Sequence, residues 1–112
     1  MSQITTHVLD TSRGLPATGI AITLFQKKDG EWHSLAKGAT DSDGRISDLL
    51  SQDAILEPSE YKLLFETAAY YEALKEKTFY PAVEIIFGIE DSAHYHVPLL
   101  LSAFGYSTYR GS

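Results

Sequence analysis

Short runs of β-branched, aromatic and aliphatic residues recur along the chain and alternate with polar positions. Runs with a period of two residues, bounded by turn residues, are typical of β-strands. The pattern predicts seven or eight short strands, at residues 4–10, 20–26, 31–38, 61–67, 82–90, 95–102 and 105–110. Because successive side chains of a strand point to opposite faces, each run is expected to bury one face and present the other.

Clusters of Gly, Pro and Asp separate the runs. They occur at residues 13–16, 29–30 and 41–44, and they supply the backbone conformations of tight turns. The pair Asp29-Gly30 predicts a hairpin between two strands. Asp41, Asp43 and Gly44 also match the start of a calcium loop, but the residues that follow lack its ligand pattern and closing glutamate. We therefore interpret this segment as a turn.

One segment departs from the strand pattern. Residues 68–77 are rich in helix-forming residues, and Tyr70 or Tyr71 meets Leu74 at helical spacing. With Thr67 as a suitable N-cap, we predict one short α-helix. Many short strands with one helix indicate an antiparallel β-sandwich, because a parallel sheet needs a crossover helix between most of its strands. The predicted fold class is all-β, as a single domain over residues 1–112.

The composition excludes several classes of protein. A chain of 112 residues with 44% hydrophobic and 12% aromatic residues is one domain long and able to fold. The net charge of −6 and the scattered basic residues argue against a nucleic-acid partner. The absence of cysteine excludes disulfides and thiolate sites. No apolar run is long enough to cross a membrane, and no secretory signal is recognisable. We expect a cytoplasmic protein, or a periplasmic or other location if a signal was removed.

Polar side chains share a face with apolar ones in three of the predicted strands. The shared-face sets are His7 and Leu9; His94, His96, Pro98 and Leu100; and Ser107 and Tyr109. Tyr95, Val97 and Leu99 point to the opposite face of their strand. One face of the sheet therefore carries histidines together with apolar side chains.

Histidines spaced two residues apart on one strand face are also typical of metal ligands. His94 and His96, together with His7, would form a three-histidine zinc site of the open, hydrolytic type. No other liganding motif flanks them, so we expect neither a metal nor a cofactor. His33 lies in a polar strand and is interpreted as solvated. Arg45 directly follows a turn, where a cation is more often solvated than functional unless an anion lies nearby.

Four segments together resemble the transthyretin-like 5-hydroxyisourate hydrolases, over nearly the whole chain. They are HVLD at 7–10, DGR at 43–45, HYHVPLLLS at 94–102 and YSTYRGS at 106–112. The final Tyr-Arg-Gly-Ser separates these enzymes of purine catabolism from the hormone-carrying transthyretins. One departure is Ala103, which stands where family members commonly have proline, in the bend between the last two strands.

The resemblance implies an eight-stranded sandwich that hydrolyses 5-hydroxyisourate to 2-oxo-4-hydroxy-4-carboxy-5-ureidoimidazoline in urate degradation. Histidine would activate the water, with arginine stabilising the developing charge, and the order of the histidine roles stays open. The implied catalytic residues are His7, Arg45, His96 and Ser112. The implied substrate-binding residues are His7, Arg45 and Tyr109, and the implied channel-lining residues are Leu9, Pro98, Leu100 and Ser107. A homotetramer, built as a dimer of dimers, would complete the pocket from shared faces.

Two other functions are compatible with a sandwich fold. The first is a non-catalytic, transthyretin-type carrier of a hormone-like small molecule. His7, Arg45 and His96 favour the hydrolase, because a channel for an aromatic hormone needs an apolar lining rather than two bases and a guanidinium. The second is an adhesion or interaction domain, which leaves the tail without a purpose. In the hydrolase, Ser112 is expected to offer a histidine its hydroxyl and its terminal carboxylate.

Overall fold

Two β-sheets and one short helix make up the computed structural model, which describes residues 2–112. Nine strands form in this range: β1 (Ile4–Asp10), β2 (Leu15–Pro16), β3 (Ala21–Lys28), β4 (Glu31–Ala39), β5 (Arg45–Ile46), β6 (Ser59–Phe65), β7 (Val83–Ile89), β8 (Tyr95–Ser102) and β9 (Gly105–Thr108). The helix α1 spans Thr67–Ala73. The predicted all-β fold class is confirmed, and the two-residue strand β2 lies within a predicted turn.

The sheets bury one common core. The first sheet has the strand order β2-β1-β8-β9, with β5 also pairing with β1, and the second has the order β4-β3-β6-β7. Inward-facing side chains from both sheets form the hydrophobic cluster, which includes Ile4, Val8, Leu24, Leu63, Phe65, Leu99 and Leu101. Full burial of each such side chain contributes about 1.5–3 kcal/mol. Between residues 2 and 112 no helix has the length and apolarity needed to cross a membrane.

The pairing of β1 with β8 departs from the predicted antiparallel arrangement. These two strands run parallel, in register from Ile4 opposite Tyr95 to Asp10 opposite Leu101. The other strand pairs are antiparallel across the described part of the chain. Parallel pairing needs a long crossover connection rather than a tight turn. Here the whole second sheet lies between β1 and β8 in the sequence and supplies that connection.

The hairpin predicted at Asp29-Gly30 is confirmed. It joins β3 to β4 and places Lys28 opposite Glu31. Both turn residues have positive φ, 52° for Asp29 and 78° for Gly30. This is the conformation of a type I′ turn, whose twist matches that of the flanking strands.

The helix is shorter than predicted and is capped differently. Thr67 lies inside α1 rather than at the N-cap, and its hydroxyl donates to the carbonyl of Tyr80 at 2.7 Å. Glu66 occupies the N-cap without a capping side-chain hydrogen bond. The helix ends at Ala73 instead of residue 77, because Lys75 adopts a left-handed conformation with φ of 58°.

Candidate active site

The outer face of the first sheet carries the predicted site residues. In β1, Val8 is fully buried while His7 and Leu9 on the opposite side are half-buried. In β8, Val97 and Leu99 are buried in the core while His96 and Leu100 are half-buried. The alternation of faces predicted for these two strands is therefore confirmed.

The register of the first sheet brings the outward side chains together. Residues directly opposite each other on neighbouring strands share a face. The opposed pairs are Thr5 with His96, His7 with Pro98, Leu9 with Leu100, and Leu100 with Ser107. One face thus combines the two predicted histidines with the four predicted channel residues. Pro98 is buried within the single chain.

A tight turn places Arg45 beside His7. The Asp41 carboxylate accepts a hydrogen bond of 3.0 Å from the backbone N–H of Arg45, which holds the turn closed. Gly44 has φ of 72°, and a Cβ there would lie 2.5 Å from the carbonyl oxygen of Val8. Only glycine fits this position. β5 then pairs with β1 so that Arg45 lies opposite His7.

A polar cavity of about 230 Å³ opens next to these residues. It is lined by Thr5, Thr6, Arg45, Ile46, Ser47, His94, His96 and Ser112. Three of the predicted catalytic residues therefore line one cavity, and the fourth, His7, borders it through its pairing with Arg45. Leu9, Pro98, Leu100 and Ser107 continue the same sheet face outside the cavity lining.

Thr5 joins the two histidines of the His-Tyr-His segment. Its Oγ1 lies 2.8 Å from Nε2 of His94 and 2.7 Å from Nδ1 of His96. The two imidazole rings are 6.3 Å apart between centroids and tilted by 24°. Thr5 is not among the site residues predicted from the sequence. Strand alternation places Thr5 on the same face as His7, but it does not show that Thr5 lies opposite His96.

The surroundings of His7 and His96 lower the pKa of both rings. For His7, burial is the main cause and the Arg45 cation adds to it, against smaller opposite effects of Asp41 and Asp43. For His96, burial again lowers the pKa most, followed by Arg45, His94 and His7. Burial and a nearby cation both disfavour the imidazolium form. At neutral pH these histidines are therefore neutral bases able to accept a proton.

The C-terminal tail is ordered against β8. β9 ends at Thr108, short of the predicted end at residue 110, and the chain then pairs with β8 through an isolated bridge. In this bridge the backbone N–H of Gly111 donates to the carbonyl of His96 at 2.9 Å. The bridge brings Ser112 to the polar cavity.

Arg110 fastens the tail at a second point. Its guanidinium lies 4.1 Å from the centroid of the Tyr95 ring and donates to the carbonyl of His94 at 3.3 Å. A guanidinium over an aromatic face contributes about 0.5–1 kcal/mol at exposed sites. Arg110 therefore anchors the tail beside the cavity instead of pointing into it.

Tyr109 lies away from the polar cavity. Its side chain is 58% exposed and borders a different, mostly apolar cavity of about 250 Å³, together with Ile85 and Phe87 of β7. A single chain thus places Arg45, His96 and Ser112 in the polar cavity with His7 at its border, and it places Tyr109 in a second cavity that His96 also lines.

The histidines do not form a ligand set for a metal. In the range 2–112, no group of three or more His, Cys, Asp or Glu side chains is arranged to hold a metal ion. One ring nitrogen each of His94 and His96 is directed at the hydroxyl of Thr5. His94 and His96 are thus connected through the hydroxyl of Thr5.

Known proteins resemble this chain over almost its full length. A family model described as the HIUase/Transthyretin family matches residues 4–111. The 5-hydroxyisourate hydrolase of Salmonella dublin is 47% identical over 110 residues, covering 97% of this chain and 80% of that protein. The solved 5-hydroxyisourate hydrolase of Klebsiella pneumoniae is 37% identical with a TM-score of 0.84, covering 97% of this chain and 98% of the other. A crystal structure of sea bream transthyretin in complex with thyroxine is 31% identical with a TM-score of 0.91, covering 97% and 94%.

Proposed function

This chain belongs to the HIUase/Transthyretin family, and we infer from that membership and from its site that it hydrolyses 5-hydroxyisourate in urate degradation. The observation that carries the inference is the grouping of His7, Arg45 and His96 on one sheet face. Two neutral bases beside a permanent cation suit the addition of water to a carbonyl group.

The reaction opens a ring by breaking an amide-like bond. Water adds to the carbonyl carbon, and the bond from that carbon to the ring nitrogen breaks. An N–H group results together with a carboxylic acid, which releases a proton to solvent and becomes a carboxylate. The water must lose a proton to a base, and the departing nitrogen must gain one. His7 and His96 are available for these two transfers, because their lowered pKa values keep them neutral near neutral pH.

Arg45 supplies the electrostatic part of the mechanism. When water attacks, negative charge develops on the carbonyl oxygen of the substrate. A guanidinium is planar, always charged and able to donate two parallel hydrogen bonds. A fixed donor of this kind typically accelerates such a step by about 10²- to 10³-fold. The position of Arg45 in the cavity wall, opposite His7, supports this role.

We assign smaller roles to two residues of the tail. Ser112 lines the cavity, where its hydroxyl can hydrogen-bond a histidine or the attacking water. Tyr109 is proposed to bind substrate once a second copy of the chain completes the pocket. Its large exposed ring supports that proposal.

We propose that the active form is a homotetramer, a dimer of dimers. β7 and β9 are end strands of the second and the first sheet, and each has one neighbour in its sheet. They expose large apolar side chains, Ile86 and Tyr106. An open strand edge with apolar side chains favours pairing with another chain. Light scattering at micromolar concentration should give a mass of about four chains, and a fully active monomer would contradict the shared pocket.

A transthyretin-type carrier is the alternative function. The similarity to sea bream transthyretin shows that the same fold occurs in a protein solved with thyroxine. The polar cavity favours hydrolysis, since Arg45 and the two histidines would oppose burial of a largely apolar ligand.

The domain count and the compartment stay predictions. We propose that residues 1–112 form one domain, which the common hydrophobic core of both sheets supports. We also propose the cytoplasm as the compartment, with the periplasm as the alternative. Fractionation of the source cells, with detection by antibody, decides between the two.

Direct measurement of hydrolysis tests the proposed function. Urate oxidase generates 5-hydroxyisourate in place, and its ultraviolet decay is followed with and without the protein. We expect faster decay with the native protein than with the heat-inactivated one, and the same rate in a strong chelator. Equal decay with both preparations would contradict the hydrolase. Loss of activity in the chelator, restored by zinc, would instead support the three-histidine metal site.

A further inference from the structure

The hydroxyl of Thr5 is held between two rings with little access to water. Thr5 is 7% exposed, and its Oγ1 is within hydrogen-bond distance of both His94 and His96. A hydroxyl has one proton to donate and can accept two hydrogen bonds. If both rings are neutral and both contacts are hydrogen bonds, Thr5 cannot donate to both. At least one histidine must therefore donate its own N–H to Thr5.

The environment of His96 decides which ring donates. Nδ1 of His96 faces Thr5, and Cδ2 faces the tail, since a Cβ on Gly111 would lie 2.5 Å from it. Across residues 2–112, the side-chain hydrogen bond of 2.7 Å to Thr5 is made by Nδ1 and not by Nε2. Arg45 lines the same cavity as His96 and contributes to lowering its pKa, and a nearby cation favours a nitrogen lone pair over an N–H. These observations favour the form of His96 that carries its proton on Nδ1 and donates it to Thr5.

We propose that Thr5 is a positioning residue that holds His96 in the Nδ1–H form and connects it to His94. The proposal rests on the proposed function and deepens it. The chain runs from Nδ1–H of His96 to Oγ1 of Thr5, and from the Thr5 hydroxyl proton to Nε2 of His94. It leaves Nε2 of His96 unprotonated, as a base for water requires.

The same chain carries protons to and from the surface. When Nε2 of His96 takes a proton from the attacking water, Nδ1–H passes its proton to Thr5, and Thr5 passes its own to Nε2 of His94. His96 stays neutral, and His94 becomes an imidazolium. His94 is exposed, so it releases the proton on its Nδ1 to solvent. Reversal of these steps returns a proton through His96 to the departing ring nitrogen, so that protons balance over the cycle.

Nitrogen-15 NMR of the imidazole rings tests the tautomer without any substrate. The native protein and Thr5→Ser, which keeps the hydroxyl, should show His96 protonated on Nδ1. Thr5→Val removes the hydroxyl while keeping a similar shape, and it should shift the His96 proton toward Nε2. Thr23→Val is the matched control, because Thr23 is 8% exposed in the second sheet. That control should leave both the tautomer and the turnover unchanged.

Kinetics of the same variants test the consequence. Thr5→Val should lower kcat about tenfold or more with KM within about twofold, and Thr5→Ser should recover most of the loss. His94→Ala combined with Thr5→Val should fall no further than the larger single loss, because both residues act in one chain. Melting temperature and light scattering show that each variant is folded and assembled.

Three results would overturn the proposal. One is an Nε2–H form of His96 in the native protein, the second is an unchanged tautomer in Thr5→Val, and the third is an equal loss of kcat in Thr5→Ser and Thr5→Val. The tautomer measurement does not depend on turnover. A native protein that fails to hydrolyse 5-hydroxyisourate would therefore refute the proposed function while leaving the hydrogen-bond chain open to its own test.

Discussion

Two cations on the outer faces of the two sheets, Lys62 and Arg45, have opposite surroundings. The Lys62 ammonium lies 4.8 Å and 4.9 Å from the ring centroids of Trp32 and Phe25 and 3.1 Å from the Glu84 carboxylate. The Lys62 side chain is 12% exposed. Across residues 2–112 the Arg45 guanidinium makes no ion pair with a carboxylate. Arg45 instead lies close enough to two neutral histidines to lower their pKa.

This difference indicates that the charge of Lys62 stabilises the fold, whereas the charge of Arg45 is available to bind a ligand. The Lys62 ammonium is stabilised by two aromatic rings and a carboxylate, so its charge is already paired and is not available to a substrate. Arg45 instead disfavours protonation of His7 and His96, and perturbed pKa values of this kind cluster at functional sites. We therefore propose that the outer face of the first sheet is the reactive one and that the outer face of the second sheet is structural.

The largest expected effect concerns the histidines of the two sheets. His7→Ala and His96→Ala should each lower kcat/KM by about 10²- to 10⁴-fold, because each removes a group that transfers a proton. His33→Ala, in the exposed strand β4 of the second sheet, is the control and should keep native activity. Steady-state kinetics with circular dichroism measures both. Native activity in His96→Ala would remove the distinction between the two faces.

The same substitution at the two cations sharpens the comparison. Arg45→Met should lower kcat/KM by about 10²- to 10³-fold with little change in stability, since only the transition-state charge loses its partner. Lys62→Met keeps the apolar stem and should leave kcat/KM unchanged while lowering the free energy of unfolding by about 1 kcal/mol. Urea unfolding and the decay assay separate the two effects. The opposite pattern, with activity lost only in Lys62→Met, would contradict the assignment.

A smaller effect is expected from one added carbon in the tail. A Cβ at Gly111 would lie 2.5 Å from Cδ2 of His96 and 3.2 Å from Cγ of Pro98, so the tail or the ring must move. Gly111→Ala should lower kcat about tenfold, a barrier increase near 1.4 kcal/mol. At Gly105 the added carbon meets Ser102 at an ordinary 3.7 Å. Gly105→Ala should therefore keep native activity, and equal activity of the two variants would show that the tail does not hold His96.

The sequence predicts local features of the fold better than its long-range pairings. The hairpin at Asp29-Gly30 and the outward position of His7 follow from residues within a few positions of each other. The parallel pairing of β1 with β8 has no local signal, because strand orientation depends on a connection that spans most of the chain. Thr67 failed as a cap for a similar reason, since its hydroxyl is bound by the distant carbonyl of Tyr80.

The site shows the same division. His7, Arg45, His96 and Ser112 could be selected from the sequence because the family motifs and the strand alternation point to them. Thr5 could not be selected in this way, since its importance depends on lying opposite His96 across the parallel pair. Tyr109 was selected from a motif, but in the single chain it lines the apolar cavity beside His96 and not the polar one. Alternation assigns a residue to a face, but only the register between strands assigns its neighbours.

The last and smallest expected effect is a displacement of the pH profile. The reaction needs neutral imidazoles, and burial together with Arg45 lowers the pKa of His7 and His96 below the ordinary value of about 6.5. Activity should therefore persist as the pH falls through 6.5 and decline only at the lower folded-state pKa values.

Removing the cation in Arg45→Met takes away one cause of the lowering, so the remaining activity of that variant should decline at a higher pH than in the native protein. Lys62→Met, whose charge lies on the other sheet, should leave the acid limb in place. Profiles of kcat/KM from pH 5 to 8 measure the three positions, and an acid limb that Arg45→Met does not move would show that the two histidines do not sense Arg45.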